Sequence, residues 1–502
     1  MTDELERLAN GVLWPGFLGT EAPEWLRSEL RAGLAGVVYF SQNVGDGVSA
    51  LSAEILEANP NALIGIDEEG GSVTRLESAT GSTIPGAAQL GLLDDPVASA
   101  QTGAELARRV RAVGANVVLG PVADVNTDPR NPVIGVRAFG DDPALVSRHV
   151  VATIDGVQHG AVAACVKHFP GHGDTHMDSH HSLPEITLGL DEFMRVHLEP
   201  FRAAIGAGVD AVMTAHIVVP AWGEQPATLN PRVLGILREW GYDGVIITDA
   251  LDMAAIRETV GLGGGAAQAL AAGADLLCIG NPTNPGDAAF PDQDERDFRA
   301  ARDGIVAALR DGTLSRARVE EAAARVAALA TKLRSAEPDH ASSDAFDAAE
   351  IVRRVVTVTG EVPPVAAELA VLDARRRSTL AVDSAGSYVA NALAGDGPRV
   401  RVDVASASMH EQDRALDQVC AAAETTVILV DRPDTDPAQR ALVERAALRD
   451  PGAVVVNVGL PTETPLPLPT FEVASASRIG AEIAREALRG GFTAQRRTIS
   501  TS

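Results

Sequence analysis

The stretch Ala161-Val-Ala-Ala-Cys-Val-Lys167-His-Phe-Pro-Gly-His-Gly-Asp-Thr-His-Met-Asp178-Ser-His180-His-Ser-Leu-Pro184 decides how the chain is read. Residues 161–166 form an apolar run, short enough for a buried strand. From Lys167 the character changes at once: five of the eleven histidines lie between 167 and 181, with Asp174 and Asp178 among them. Gly171 and Gly173 let the backbone turn where side chains would obstruct it, and Pro170 and Pro184 disfavour regular structure across the segment. A strand ending in a long loop of titratable groups is where chemistry gathers. The loop supports three readings. His176, Asp178, His180 and His181 are all possible metal ligands, although neither His-Glu-x-x-His nor a paired Cys-x-x-Cys is present. Asp178 could orient His180, two residues on, for proton transfer. The loop could also be held simply by its own hydrogen bonds.

Outward from this stretch the same pattern recurs. Apolar runs appear at 11–16, 36–40, 62–66, 116–119, 162–166, 210–214, 244–248 and 274–279. Between most of them lie amphipathic segments rich in Ala, Leu and Arg, at 97–113, 144–159, 190–207, 231–239 and 265–272. Strand candidates alternating with helices predict parallel strands joined by crossovers. Eight of them in this length match an α/β fold of the (β/α)8 TIM-like barrel type better than an open doubly wound sheet. Asp67, Asp124, Lys167 with His168, His216 and Asp249 each follow the end of a predicted strand, which in a barrel puts them on one rim. Any one of them could be a helix cap; together they outline a candidate site. Arg137, in an apolar setting, could clamp ligand hydroxyls through its fixed fork of donors, or tie its loop to Asp141 or Asp142. The Gly70–Gly71 pair lacks the spacing of a nucleotide-binding loop.

A chain of 502 residues calls for two domains. Its 46% hydrophobic content allows a large core, and 4% aromatic content makes that core mostly Ala, Val, Leu and Ile. The formal charge of −26 argues against nucleic acid and anionic membrane surfaces as partners, and otherwise describes a self-repelling, soluble surface. Three scattered cysteines imply no disulfide framework. The acidic, amphipathic N-terminus is no signal peptide, and no run approaches the about 18 apolar residues of a membrane span. A cytoplasmic, monomeric protein is the default expectation. The expected division is a barrel at 1–335 closed by a helix at 313–332, a linker at 336–350, and a smaller C-terminal α/β sandwich domain at 351–502. In that second domain strands are expected at 380–382, 400–404, 426–430 and 453–458, and helices at 345–357, 409–423, 437–448 and 477–489. With few polar groups at its strand ends, it reads as a supporting or substrate-covering element.

Four motifs together resemble family 3 glycoside hydrolases of the β-N-acetylglucosaminidase (β-N-acetylhexosaminidase) branch. They are Ile66-Asp67-Glu-Glu-Gly-Gly-Ser-Val-Thr-Arg75, Asn131-Pro-Val-Ile-Gly-Val-Arg137-Ala-Phe-Gly140, the 167–184 segment, and Val245-Ile-Ile-Thr-Asp249-Ala-Leu-Asp-Met253, in family order. A weaker likeness covers Val430-Asp-Arg-Pro433 and Val458-Gly-Leu-Pro461. The resemblance implies a barrel whose rim cleaves terminal N-acetylglucosamine, with net retention, from muropeptide or chitooligosaccharide fragments. Asp249 would be the nucleophile and His180, oriented by Asp178, the acid/base. Asp67, Arg75, Arg137, Lys167, His168 and His216 would bind the sugar. No cofactor or metal is implied; the partner is a small carbohydrate. An imidazole shuttle leaves the acceptor open. A carboxylate shuttle would repel a phosphate dianion, whereas neutral imidazole would not. Phosphorolysis by inorganic phosphate, giving N-acetylglucosamine 1-phosphate, therefore stands beside hydrolysis. A catalytically silent sugar-binding protein would lack the nucleophile or the Asp–His pair, and both are present.

Overall fold

The computed structural model describes residues 4–175, 184–283, 289–338, 346–366, 368–376 and 386–499. The chain divides into two compact units, the first comprising residues 1–69, 99–134 and 141–346. Its strands are β1 (Leu13–Pro15), β2 (Gly36–Tyr39), β3 (Leu63–Ile66), β4 (Val117–Val118), β5 (Ala163–Phe169), β6 (Ala211–Thr214), β7 (Val245–Ile247) and β8 (Leu277–Gly280). One parallel ladder runs from β2 to β7 in chain order, and a second joins β1 to β8. A parallel bridge from Ile247 to Leu276 links the two ladders. On the other side Ala35 N–H donates to the Asn10 carbonyl at 2.9 Å. The result is the expected α/β TIM-like curled sheet. All eight apolar runs became its strands, because strands buried on both faces read as continuous hydrophobic runs.

The interior answers the low aromatic content. Small residues such as Ala163, Cys165 and Ala211 line the cluster, and Trp14, fully buried, supplies the bulk. Its indole N–H donates to the Leu63 carbonyl at 2.8 Å. The ring occupies the place a side chain on Gly65 would take: a Cβ there would lie 2.3 Å from the indole. Just before β8, the fully buried Asp275 accepts hydrogen bonds from the guanidinium groups of Arg238, Arg318 and Arg325 and from Ile246 N–H. Such a buried carboxylate is tolerated because it is so fully partnered.

Several helices differ from the sequence expectation at their ends, and two of the differences have a local cause. The segment 190–207 forms Leu190–Val196 and Glu199–Gly206 rather than one helix, since Pro200 cannot donate to a preceding turn and starts the second. The closing helix runs Arg316–Ser335, its start set by Ser315 capping Arg318 N–H at 3.2 Å.

The second unit comprises residues 70–98, 135–140 and 347–502. Its strands are β9 (Thr357–Thr359), β10 (Leu369–Asp373), β11 (Arg399–Arg401), β12 (Thr425–Val430), β13 (Val454–Asn457), β14 (Thr470–Glu472) and β15 (Gln495–Arg496). They form one sheet in the order β11-β10-β12-β13-β14-β9-β15, with β9 antiparallel to β14. Apolar clusters cover both faces, one with Tyr388, Leu393 and Ile483, the other with Leu416, Leu442 and Val443, making a sandwich. The segment 70–98 is fastened to this sheet within the unit: Gln89 Nε2 donates to the Val473 carbonyl at 2.9 Å, and Ala476 N–H to Ser72 Oγ at 3.1 Å. The expected strand at 400–404 forms as β11; the one at 380–382 lies outside the described residues. β9, β10, β14 and β15 carry too little β-branched alternation, or too few residues, to announce themselves.

Gly65→Ala is expected to overpack the barrel against Trp14 and cost about 1–3 kcal/mol, read as a lowered thermal midpoint with wild-type far-ultraviolet circular dichroism.

Candidate active site

Three carboxylates, Asp67, Glu68 and Glu69, follow β3, and a lysine from β5 pairs with the first and the last. Lys167 Nζ lies 2.7 Å from Asp67 Oδ1 and 2.7 Å from Glu69 Oε1, with its side chain only 3% exposed. A buried ammonium is tolerable only when paired, and here two anions hold it. Glu69 is also buried, whereas the Asp67 side chain keeps 18% exposure. Asp67 is thus the more open member of a fixed cluster, suited to accept hydrogen bonds from a ligand's hydroxyls.

The strand that carries Lys167 runs further than its sequence suggests. β5 continues to Phe169, where Ala215 N–H donates to the Phe169 carbonyl at 2.8 Å. The cause is Phe169 itself, fully buried edge-on against Phe201 and Trp240 at 5.3 and 6.2 Å. The polar loop begins only after it.

Asp124, just past β4, organises that loop. It is fully buried and accepts from His168 Nδ1 at 2.7 Å, His172 N–H at 2.7 Å and His168 N–H at 3.3 Å. Burial by itself would push its carboxyl up; the charge and hydrogen bond of His168, with help from His172, hold it down at about 2. An ionised Asp124 fixes the proton of His168 on Nδ1. His172 is buried as well, and burial pushes its imidazole down to about 4 against the pull of Asp124, so it is neutral at pH 7. Its Nδ1 lies 2.9 Å from Thr175 Oγ1.

Asp249 stands at the end of β7, half-exposed. Its Oδ1 accepts from Ala250 N–H at 2.8 Å, and its own N–H reaches Thr214 Oγ1 at 3.3 Å. His216, fully buried after β6, donates from Nε2 to the Ala250 carbonyl at 2.8 Å, while its Nδ1 meets Thr228 Oγ1 at 2.9 Å. Thr228 in turn lies 2.8 Å from Thr214 Oγ1. A chain of hydrogen bonds therefore runs from β6 to the residue beside Asp249.

Asp67, Lys167, His168, His216 and Asp249 thus share the C-terminal rim of one barrel. Arg75 and Arg137 are carried by the segments 70–98 and 135–140 of the second unit, where both are buried. Asp178 and His180 lie outside the described residues. Glu69, His172 and Thr228 are additions that sequence reasoning did not single out. For Glu69 a signal existed, the doubled carboxylate after Asp67. For Thr228 there was none. Among the described residues no group of three or more His, Cys, Asp or Glu could hold a metal ion, and no helix is long and apolar enough to cross a membrane.

Comparison with known proteins fits this geometry. Residues 20–329 match the model of the glycosyl hydrolase family 3 N-terminal domain. The chain belongs to glycoside hydrolase family 3. Among similar family 3 proteins, beta-hexosaminidase A of Pseudoalteromonas piscicida is 30% identical over 344 residues, 62% of this chain and 56% of that relative. The match thus spans little more than half that relative's length. The beta-hexosaminidase of Stenotrophomonas maltophilia strain K279a is 37% identical over 286 residues, 54% of this chain and 84% of its own. The structure of a family 3 beta-N-acetylglucosaminidase from Paenibacillus sp. strain FPU-7 superimposes with a TM-score of 0.82 at 30% identity, covering 99% of this chain and 100% of that one. Family 3 membership makes the chain a glycosidase by kinship.

The pairing of the buried Asp124 charge has a measurable effect on stability. Its carboxyl titrates at about 2 in the folded protein, against about 3.9 unfolded. The stability it contributes, about 2 kcal/mol, is complete above about pH 4 and is lost as the pH falls towards 2. Asp124→Asn should therefore lower the thermal midpoint at pH 7, and its gap from wild type should close as the pH falls below about 4.

Proposed function

We propose that the chain is a retaining, exo-acting β-N-acetylglucosaminidase that removes terminal N-acetylglucosamine from muropeptide or chitooligosaccharide fragments. The observation that carries this reading is Asp249 at the end of β7, on the same rim as the Lys167–Asp67 ion pair and the Asp124–His168 pair. Similar proteins that are hexosaminidases support the choice of sugar.

In this mechanism Asp249 attacks the anomeric carbon while His180, oriented by Asp178, gives its proton to the departing oxygen. The Ala250 N–H bond to Oδ1 helps hold the carboxylate in place. The same histidine then takes a proton from water, which opens the glycosyl ester and restores Asp249. Asp67, Arg75, Arg137, Lys167 and His168 bind the sugar. Lys167 does so chiefly by fixing the Asp67 carboxylate, and Asp124 by fixing the orientation of the His168 ring. His216 was expected among the sugar ligands; its hydrogen bond to the Ala250 carbonyl suits it better to holding the turn that bears Asp249.

Asp249→Ala is expected to abolish release of nitrophenol from 4-nitrophenyl N-acetyl-β-glucosaminide while N-acetylglucosamine binding, measured by calorimetry, largely survives. An active variant would remove Asp249 from the role of nucleophile.

A second acceptor follows from the imidazole shuttle. Once Asp249 is esterified, neutral His180 places no charge against a phosphate dianion. The same assay with added phosphate separates the two reactions. Free N-acetylglucosamine at a phosphate-independent rate is the hydrolase result; N-acetylglucosamine 1-phosphate at a phosphate-dependent rate is the phosphorylase result.

A further inference from the structure

The turn after β7 carries a second carboxyl, Asp252, three residues beyond Asp249, and the two live in opposite surroundings. Asp249 is half-exposed and accepts a backbone N–H. Asp252 is 5% exposed, and among the described residues neither of its oxygens has a hydrogen-bond partner. The turn is pinned to the end of β8, Leu251 N–H donating to the Cys278 carbonyl and Asp252 N–H to the Ile279 carbonyl, each at 3.0 Å. The carboxyl then lies flat on Gly280. A Cβ at that residue, whose φ is +116°, would be 1.9 Å from Oδ1, so Gly280 is what makes room for it.

The ionisable groups around Asp252 come from every neighbouring element. Asp297, on the helix Gln293–Asp311, and Asp249, on the same turn, are like charges; Arg257, exposed at the end of the helix Ala254–Arg257, opposes them. Cys278 of β8 is a buried thiol whose ionisation is itself opposed by burial and by both aspartates. Burial first, and Asp297 second, push the Asp252 carboxyl well above the usual range, more than Arg257 offsets. A carboxylate with no donor in such a site is far costlier than the acid.

We propose that Asp252 is a positioning residue that keeps the proton of this carboxyl pair, so that Asp249 alone bears the negative charge of the turn. The proposal rests on Asp249 as nucleophile. Two carboxyls close together cannot both ionise freely, and unequal surroundings decide which one does. The buried partner takes the proton, and the exposed one stays ready to attack.

The test is a pair of pH series on the full chain, comparing wild type with Asp252→Asn, a neutral isostere. The first follows the thermal midpoint. Unfolded, Asp252 loses its proton near about pH 3.9; folded, it holds it to a higher pH. Wild type therefore loses stability as the pH rises between those values, and an amide has no such loss. The midpoint of Asp252→Asn should rise relative to wild type with increasing pH, by a few degrees in all. The second follows kcat/KM, whose acid limb reports ionisation of Asp249. That limb should not move, whatever the absolute rate, because the charge removed was never there. A stability deficit that widens as the pH rises, as expected for an ionised Asp252 held by a bound cation, would overturn the proposal, and so would a deficit that is the same at every pH. So would an acid limb displaced to lower pH. Asp252→Ser serves the same two series should the amide not be accommodated. The thermal series needs no activity, so it stands or falls independently of whether Asp249→Ala proves inactive.

Discussion

The carboxylate of Asp124 is the constraint on which the rim depends. It is fully buried, yet three donors from the end of β5 and the loop after it converge on it: the His168 ring, the His168 amide and the His172 amide. A buried charge this well satisfied leaves the chain no cheap alternative path. Everything from His168 to Thr175 is shaped by it. Gly173 packs so closely on the Val125 carbonyl that a Cβ would lie 1.8 Å away, and Gly171 leaves room for His197. Asn131 Nδ2 donates to the His172 carbonyl at 2.9 Å, tying the next loop to this one. The glycines and the aspartate are one device, since a side chain at either glycine would lift the two amides off Asp124.

Charge on the rim is managed in two ways. Lys167, with Asp67 and Glu69, is a cluster in which cation and anions are all retained, each paying for the other's burial. At the turn after β7, neither Asp252 oxygen has a hydrogen-bond partner among the described residues, and in the proposal a proton takes the place of a cation. The first arrangement fixes geometry; the second fixes which of two similar carboxyls is reactive. His216 adds the geometric half at that turn by holding the Ala250 carbonyl. Both depend on side chains that do not need to touch a ligand.

The barrel was readable because its physics is local to each strand. Eight short apolar runs, five of them followed closely by a charged residue or histidine, needed no knowledge of their partners. The second sheet was harder. β10 lies between β11 and β12, yet Leu369-Ala-Val-Leu-Asp373 and the residues before it are as good for a helix as for a strand; pairing on both edges decided it. The attachment of 70–98 to that sheet rests on contacts such as Gln89 with Val473, 384 residues apart, which no local pattern encodes. At the rim, the strand-end residues were visible and their supports were not. Thr228 matters only because the chain between β6 and the helix Pro231–Glu239 folds back onto His216. Asp252 was quoted within a motif, but its burial against Gly280 is a fact of packing.

The net charge of −26 looks at first like an argument against any anionic acceptor or acidic substrate. At physiological ionic strength, however, exposed charges are screened beyond about 8 Å, so the surface as a whole sets solubility more than site chemistry. What an incoming acceptor meets is local. In the proposed mechanism Asp249 is a neutral ester when the acceptor arrives, and a protonated Asp252 adds nothing. Lys167 then stands against Asp67 and Glu69, a cluster with one net negative charge held within hydrogen-bond distance. In that mechanism this is the moment when the choice between water and phosphate is made. That choice falls to the protonation of the shuttle imidazole and to the donors that can reach an oxyanion, not to the acidity of the chain.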